Sequence, residues 1–278
     1  MFQLHILVRH FHQRSILQNH KLLIQRLLRR ENMSTGTAED VKAALAEQAD
    51  SKRIPVLQRF FKSGEGEYAH GDVFIGVRVP DNRLVAKRFS TLSLIEIDQL
   101  LNSPIHEHRQ SALFILVYRY LAASRPSTRD DKLRGELSSF YVKALKRGRV
   151  NNWDLIDASA EHLLGDYLQD QSRQLLYDLA SSSQLWERRA AIIATFAFIK
   201  RKDGSTTFDL AKQLLHDREP LMHKAVGWML RETGKRISKK VLTTFLDQHA
   251  AHMPRIMLSY AIEHLSAKQR THYRSLKI

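Results

Sequence analysis

The 278-residue chain contains no cysteine. That absence excludes disulfide staples, thiolate nucleophiles and thiolate metal sites, and it fits a reducing compartment. Stability must then come from a packed apolar core, for which this length is ample. Long apolar runs are missing too: the longest, Leu113 to Tyr118, is far too short to cross a bilayer. Acidic residues are the minority, 29 against 44 Lys and Arg, which leaves a net charge of +15. Such a balance favours a polyanionic partner. The basic residues are scattered among periodic apolar positions rather than gathered on one amphipathic segment, which favours nucleic acid over a membrane surface.

Residues 1–32 differ from the rest. Arg9, Arg14, Lys21, Arg26, Arg29 and Arg30 stand there against one acid, Glu31, and histidines crowd His5 to His12. The segment is basic and loosely amphipathic, but it lacks the serine richness and the continuous apolar region of targeting signals. Met33 to Asp40 reads like a protein start, with a helix beginning at Thr37 and acids in its first turn, so residues 1–32 are expected to be a dispensable extension. Cutting it removes six bases and one acid and leaves +10.

From Ala38 to Leu276 apolar residues recur at three- and four-residue spacing, which predicts helix almost throughout. Prolines and glycines are few, six and 11, and punctuate this pattern. Pro104, Pro220 and Pro254 fall at expected helix starts, and Gly148, Gly204 and Gly234 at expected stops. The exception is Gly64 to Pro80, where four glycines surround Tyr68 and Phe74 and predict a loop or short extended piece. Gly64-Glu65-Gly66 is no phosphate-cradling fingerprint, since no strand precedes it and no third glycine opens a helix. Around Arg109, Arg189 and Lys224 a basic residue, small residues and an apolar face recur, at separations that suit a helical-pair repeat of roughly 35 to 45 residues. The predicted fold is all-α: one superhelical domain over 33–278, a solenoid of HEAT-like pairs with a concave basic face.

All three tryptophans fall between Trp153 and Trp228. Trp153 and Asp157 are four apart, so on a helix they present an aromatic face and a carboxylate to the same point. Alone, each member has a structural reading. The tryptophans are core, Asp154 and Asp157 are first-turn acids after an Asn151 or Asn152 cap, and Arg188 and Arg189 form a solvated face. Together they suit a positively charged ring, because cation–π attraction and a fixed anion act jointly in a dehydrated cleft. A cationic base arises when a purine ring nitrogen is alkylated, and breaking its glycosidic bond creates an oxocarbenium-like sugar that a carboxylate stabilises. Arg189 would then anchor a phosphate beside the lesion.

At Trp153-Asp154-Leu155-Ile156-Asp157, Trp186-Glu187-Arg188-Arg189 and Lys224-Ala225-Val226-Gly227-Trp228 the sequence resembles the DNA alkylation repair enzymes, HEAT-like-repeat alkylpurine DNA glycosylases. Phe74 to Asp81 and His106 to Arg109 extend the likeness. The resemblance implies a bent helical stack that embraces duplex DNA and excises 3-methyladenine and 7-methylguanine without a base-flipping pocket. It implies Asp157 as catalytic carboxylate, Trp153 and Trp228 packed on the lesioned nucleotide, and Arg189 at the backbone.

Lys146, Arg147, Arg149, Arg188, Lys224 and Arg231 are candidate DNA-backbone contacts. For Lys143, Lys146, Arg147 and Arg149, a helix C-terminus complementing its dipole is the equal alternative. His106 and His108 lie two apart on a helix and splay to different faces, so they are expected to be structural rather than metal-binding. The expected enzyme uses no metal or organic cofactor, acts as a monomer on double-stranded DNA carrying alkylated bases, has no membrane contact, and resides in the cytoplasm with the nucleoid. Competing readings are a non-enzymatic solenoid that binds branched or distorted DNA, and a protein-binding scaffold.

Overall fold

The computed structural model describes residues 36–276. The proposed extension, residues 1–32, lies outside them. Among the described residues the architecture is helical throughout, and the extended contribution is a lone parallel bridge between Val73 and Ile105. In chain order the helices are α1 (Ala38–Ala46), α2 (Ile54–Phe61), α3 (Val79–Arg88), α4 (Leu94–Leu101), α5 (His106–Ala123), α6 (Asp131–Lys146), α7 (Trp153–Asp157), α8 (Gln174–Ala180), α9 (Leu185–Ala194), α10 (Phe196–Lys200), α11 (Ser205–Gln213), α12 (Pro220–Arg236), α13 (Lys239–His249), α14 (Arg255–Ala261) and α15 (Ala267–Ser275). A π-helical turn, Glu161–Asp166, follows α7.

Helix α1 starts where the sequence places it. The Thr37 side chain accepts from the Asp40 N–H while Asp40 reaches back to the Thr37 N–H, which satisfies two of the donors a helix start leaves open. Helix α5 is buried from His106 to Val117, charged residues included, and packs against α3, α4 and α6. A helix buried on all sides belongs at the centre of its layer. Helices α9 and α12 repeat the arrangement: α9 contacts α7, α8 and α12, and α12 contacts α13 and α14. Each pair stacks on the next, which is the α-α superhelical plan. The buried face of α12 carries Met222, Val226, Met229 and Leu230, each 0 % exposed, and each such side chain contributes about 1.5–3 kcal/mol.

Close approach explains two glycines. A Cβ on Gly227 would lie 2.4 Å from the Met257 carbonyl oxygen, and one on Gly165 would lie 2.1 Å from that of Ala194. These positions let α14 and α9 meet their neighbours backbone to backbone. Punctuation differs from expectation elsewhere. Gly148 does end α6, at φ 71°. Gly204, however, is the N-cap of α11, and Gly234 sits inside α12 against Leu242. Pro220 opens α12, whereas Pro254 caps α14 from outside and Pro104 precedes the Ile105 cap of α5.

The repeat register also shifts by one residue. Arg109 Nη1 donates to the Ser103 and Pro104 carbonyls, and Arg188 Nη1 to those of Ser182 and Ser183, six and five positions back in both cases. His223 touches the Asp217 carbonyl, again six back. The equivalent residues are therefore Arg109, Arg188 and His223, which latch each helix to the loop before it. Of the next positions, Arg189 and Lys224 line one cleft, and Gln110 is buried against Asp154.

Candidate active site

Helix α7 is short and capped by buried Asn152, whose Oδ1 accepts from the Trp153 N–H at 2.8 Å. One turn separates Trp153 from Asp157, as the spacing predicts. The Trp153 indole is held by aromatic neighbours: Phe61 stacks at 5.4 Å between ring centres, and Phe60 meets it edge-on at 5.7 Å. Both come from α2 and its end, and Tyr68 arrives from the glycine-rich loop to lie 6.0 Å from the Trp186 ring.

Asp157 is held in a fork. Arg189 Nε donates to Oδ1 at 2.9 Å and Nη2 to Oδ2 at 2.8 Å, while Nη1 donates to the Leu221 carbonyl at 2.6 Å. Arg189 is 4 % exposed. Its guanidinium therefore orients the carboxylate, and it also lines the cleft. Burial pushes the Asp157 carboxyl above its ordinary pKa; Arg189 works in the opposite direction, and the nearby Asp154 adds to the rise. An ionised carboxyl accepts at about four lone-pair positions. The fork uses one on each oxygen, and the others remain for the cleft.

From the far side α12 presents Lys224, Trp228 and Arg231 at four- and three-residue intervals, hence on one face. Trp153, Asp157, Arg189, Lys224, Trp228 and Arg231 all line one cavity of about 590 Å³. Sequence reasoning missed seven more lining residues, Phe60, Lys62, Tyr68, Glu219, Pro220, Leu221 and Tyr260, of which Glu219 is acidic. Phe60 is 60 % exposed although its ring meets Phe61 and Trp153, so it offers apolar surface to the cleft.

Behind α7 lies a buried polar network that also escaped the sequence reading. His106 Nδ1 is 3.0 Å from Asp72 Oδ2, and its Nε2 is 2.9 Å from Asp154 Oδ2. Arg109 reaches Asp72 Oδ1 at 2.5 Å, and Gln110 donates to Asp154 at 2.8 Å. Burial alone would keep the imidazole neutral, but the Asp154 and Asp72 carboxylates raise its pKa to about 9. Two acids thus face two cations. The network ties the glycine-rich loop, α5 and α7 together and fixes the turn that carries Trp153 and Asp157. Glu107 anchors the same loop by accepting from the Ile75 and Gly76 N–H groups at 3.2 and 2.9 Å. His108 Nδ1 lies 2.9 Å from the hydroxyl of Ser103, just before α5. His108 is pushed down to about 4 by burial, with Lys42 adding to the effect.

The remaining basic candidates are placed elsewhere. Arg188 pairs with Asp217 at 2.7 Å and latches its loop. Lys146 and Arg147 line a different, mainly apolar groove between α4 and α6, where Arg147 is bonded to Asp98. Arg149, exposed beyond Gly148, is not among the cleft-lining residues. In the described residues one group with metal-ligand chemistry gathers, Glu161, His162 and Asp166 in the π-helical turn, and Glu161 there already pairs with Lys200. No helix among them is long and apolar enough to cross a membrane.

The structure is thus an α-α superhelical protein with one cleft that joins a half-buried carboxylate, two indoles and the Lys224 and Arg231 face of α12. The profile of the DNA alkylation repair enzyme family matches residues 41–265. The chain belongs to that family, and its role lies in DNA repair. In fold it is similar to a predicted DNA alkylation repair enzyme from Enterococcus faecalis, at 15 % identity and a TM-score of 0.59 over 79 % of this chain and 98 % of that one. No curated protein matches the sequence.

Proposed function

We propose that the protein is a DNA glycosylase that hydrolyses the bond between deoxyribose and an N3- or N7-alkylated purine in duplex DNA, the first step of base excision repair. One observation carries the reading: Asp157, Trp153 and Trp228 share a single cleft whose other side chains include Lys62, Lys224 and Arg231.

The chemistry follows from charge. An alkylated purine carries a positive charge, so its departure takes the bonding electron pair from C1′ and leaves a neutral base. Positive charge then moves to the sugar, as in glycoside hydrolysis. The Asp157 carboxylate, held by Arg189, stabilises that charge and orients a water molecule; the water oxygen bonds to C1′, and its released proton passes by way of Asp157 to solvent. The indoles of Trp153 and Trp228 pack on the nucleotide and favour its cationic form. A neutral base gains far less from this arrangement. As the family resemblance implies, the base need not leave the helical stack. The basic rim supplies the salt-dependent attraction to duplex. Nothing in this scheme calls for a metal, an organic cofactor or a second copy of the chain.

The test is base release from a duplex that contains N7-methylguanine, with Asp157→Asn alongside. Wild type is expected to free the methylated base, and Asp157→Asn to bind the duplex while its rate drops by about 100- to 1000-fold, the scale for losing one transition-state stabiliser. Lesion binding without release by the wild-type protein would favour the non-enzymatic reading.

A further inference from the structure

Beside the cleft lies a second, smaller cavity of about 260 Å³, and Arg231 forms a wall of both. Its floor is apolar and built by α12, α13 and the end of α14: Leu242, Ala261, Leu265 and the bare backbone of Gly234. A Cβ on Gly234 would sit 2.5 Å from Leu242 Cδ2, so glycine there is what lets α13 close on α12. That approach brings Lys239 at the start of α13 opposite Lys235 at the end of α12, with His264 completing the rim. No acidic side chain lines the cavity. Neither Lys235 nor Lys239 has an acidic partner among the described residues. The dipole of the α12 C-terminus does not require Lys235 either, because Arg236 stands in the same turn. Arg231 is bonded to Glu263, whose side chain is 53 % exposed, and lies 3.6 Å from Glu232; its Nε has no partner. Only the Glu263 end of that pair is exposed, and its swing into solvent would free the Arg231 fork for another anion.

We infer that this cavity is a phosphate seat, taking a phosphodiester of the strand that runs through the cleft. The inference rests on the reading that the cleft receives DNA and adds where a flanking phosphate is held. Trp228, Arg231 and Lys235 lie on one face of α12, and the helix rise puts Lys235 about 10 Å beyond Trp228. At that distance from the indole, the seat serves a phosphate that flanks the lesion. Arginine supplies a planar fork and the two lysines compact charges, a set matched to phosphate oxygens.

The experiment measures duplex affinity against salt for the wild-type protein, Lys235→Gln/Lys239→Gln, and a control pair, Lys87→Gln/Lys132→Gln, on α3 and α6. Loss of one seated phosphate lowers the slope of log affinity against log salt by about 0.9, with a several-fold weaker Kd at low salt. That result is expected for Lys235→Gln/Lys239→Gln and not for the control pair. A second arm follows melting temperature with added inorganic phosphate. If the double variant loses only the response to inorganic phosphate and keeps the wild-type salt slope, the strand assignment is overturned in favour of a free ion. If it matches wild type in both arms, there is no seat. Base release by the wild-type protein is read separately, so failure of the glycosylase reading leaves the salt slopes interpretable.

Discussion

Replacing His106 is the most direct perturbation of the buried network behind α7. Its imidazole is 2 % exposed and bridges Asp72 and Asp154 at 3.0 and 2.9 Å. Its pKa lies near 9 in the folded protein, against about 6.5 in an unfolded chain. At 1.36 kcal/mol per pKa unit, the gap corresponds to about 3 kcal/mol. Because the folded value is the higher one, this stability is fully present below pH 6.5 and is lost as pH rises toward and through 9. His106→Gln keeps a hydrogen-bonding side chain and removes the titration. Urea unfolding at pH 6.0 and 9.5 is expected to show wild type losing about 3 kcal/mol more than the variant between the two values. At pH 6.0 the variant is expected to be less stable by about 3–5 kcal/mol, the cost of breaking a buried ion pair. Parallel pH dependences for the two proteins would refute the claim that a charged imidazole holds α7 in place.

Three other outcomes follow from the packing and the fork. Gly227→Ala drives a methyl group into the Met257 carbonyl and is expected to destabilise by at least about 1–3 kcal/mol in thermal unfolding, with base release falling as Trp228 shifts. Arg188→Ala leaves Asp217, 5 % exposed, without its partner and is expected to cost about 3–5 kcal/mol by denaturant unfolding, with the salt slope of DNA binding unchanged. Arg189→Gln removes the influence that lowers the Asp157 pKa while burial remains, so the acidic limb of the pH–rate profile is expected to move to higher pH; a limb that stays put would separate Arg189 from the carboxylate.

The features legible in the sequence were the local ones. Three- and four-residue apolar spacing marks the helices because burial on one face requires it, and Thr37 and Gly148 act through their own neighbours. The Trp153 and Asp157 pairing was legible for the same reason, one helical turn being a local relation. Gly204 misled because a glycine that caps a helix start, and Gly234 because one needed for close packing, carries the same sequence signature as one that ends a helix. The one-residue shift from Arg189 to Arg188 in the repeat could not be seen, since consecutive arginines differ only in whether they face the loop behind or the cleft ahead. The His106 network was hidden because Asp72 and Asp154 lie 34 and 48 positions away. Phe60, Tyr68 and Tyr260 reach the cleft from separate segments whose convergence only the fold determines.

Charge selectivity at one sugar is what the cleft is proposed to supply. Single-turnover release should be measured on two matched duplexes, one with N7-methylguanine and one with hypoxanthine, a neutral base. Release of the cationic base alone, abolished by Asp157→Asn, is the predicted result; equal release of both bases, or release that survives the substitution, would contradict it.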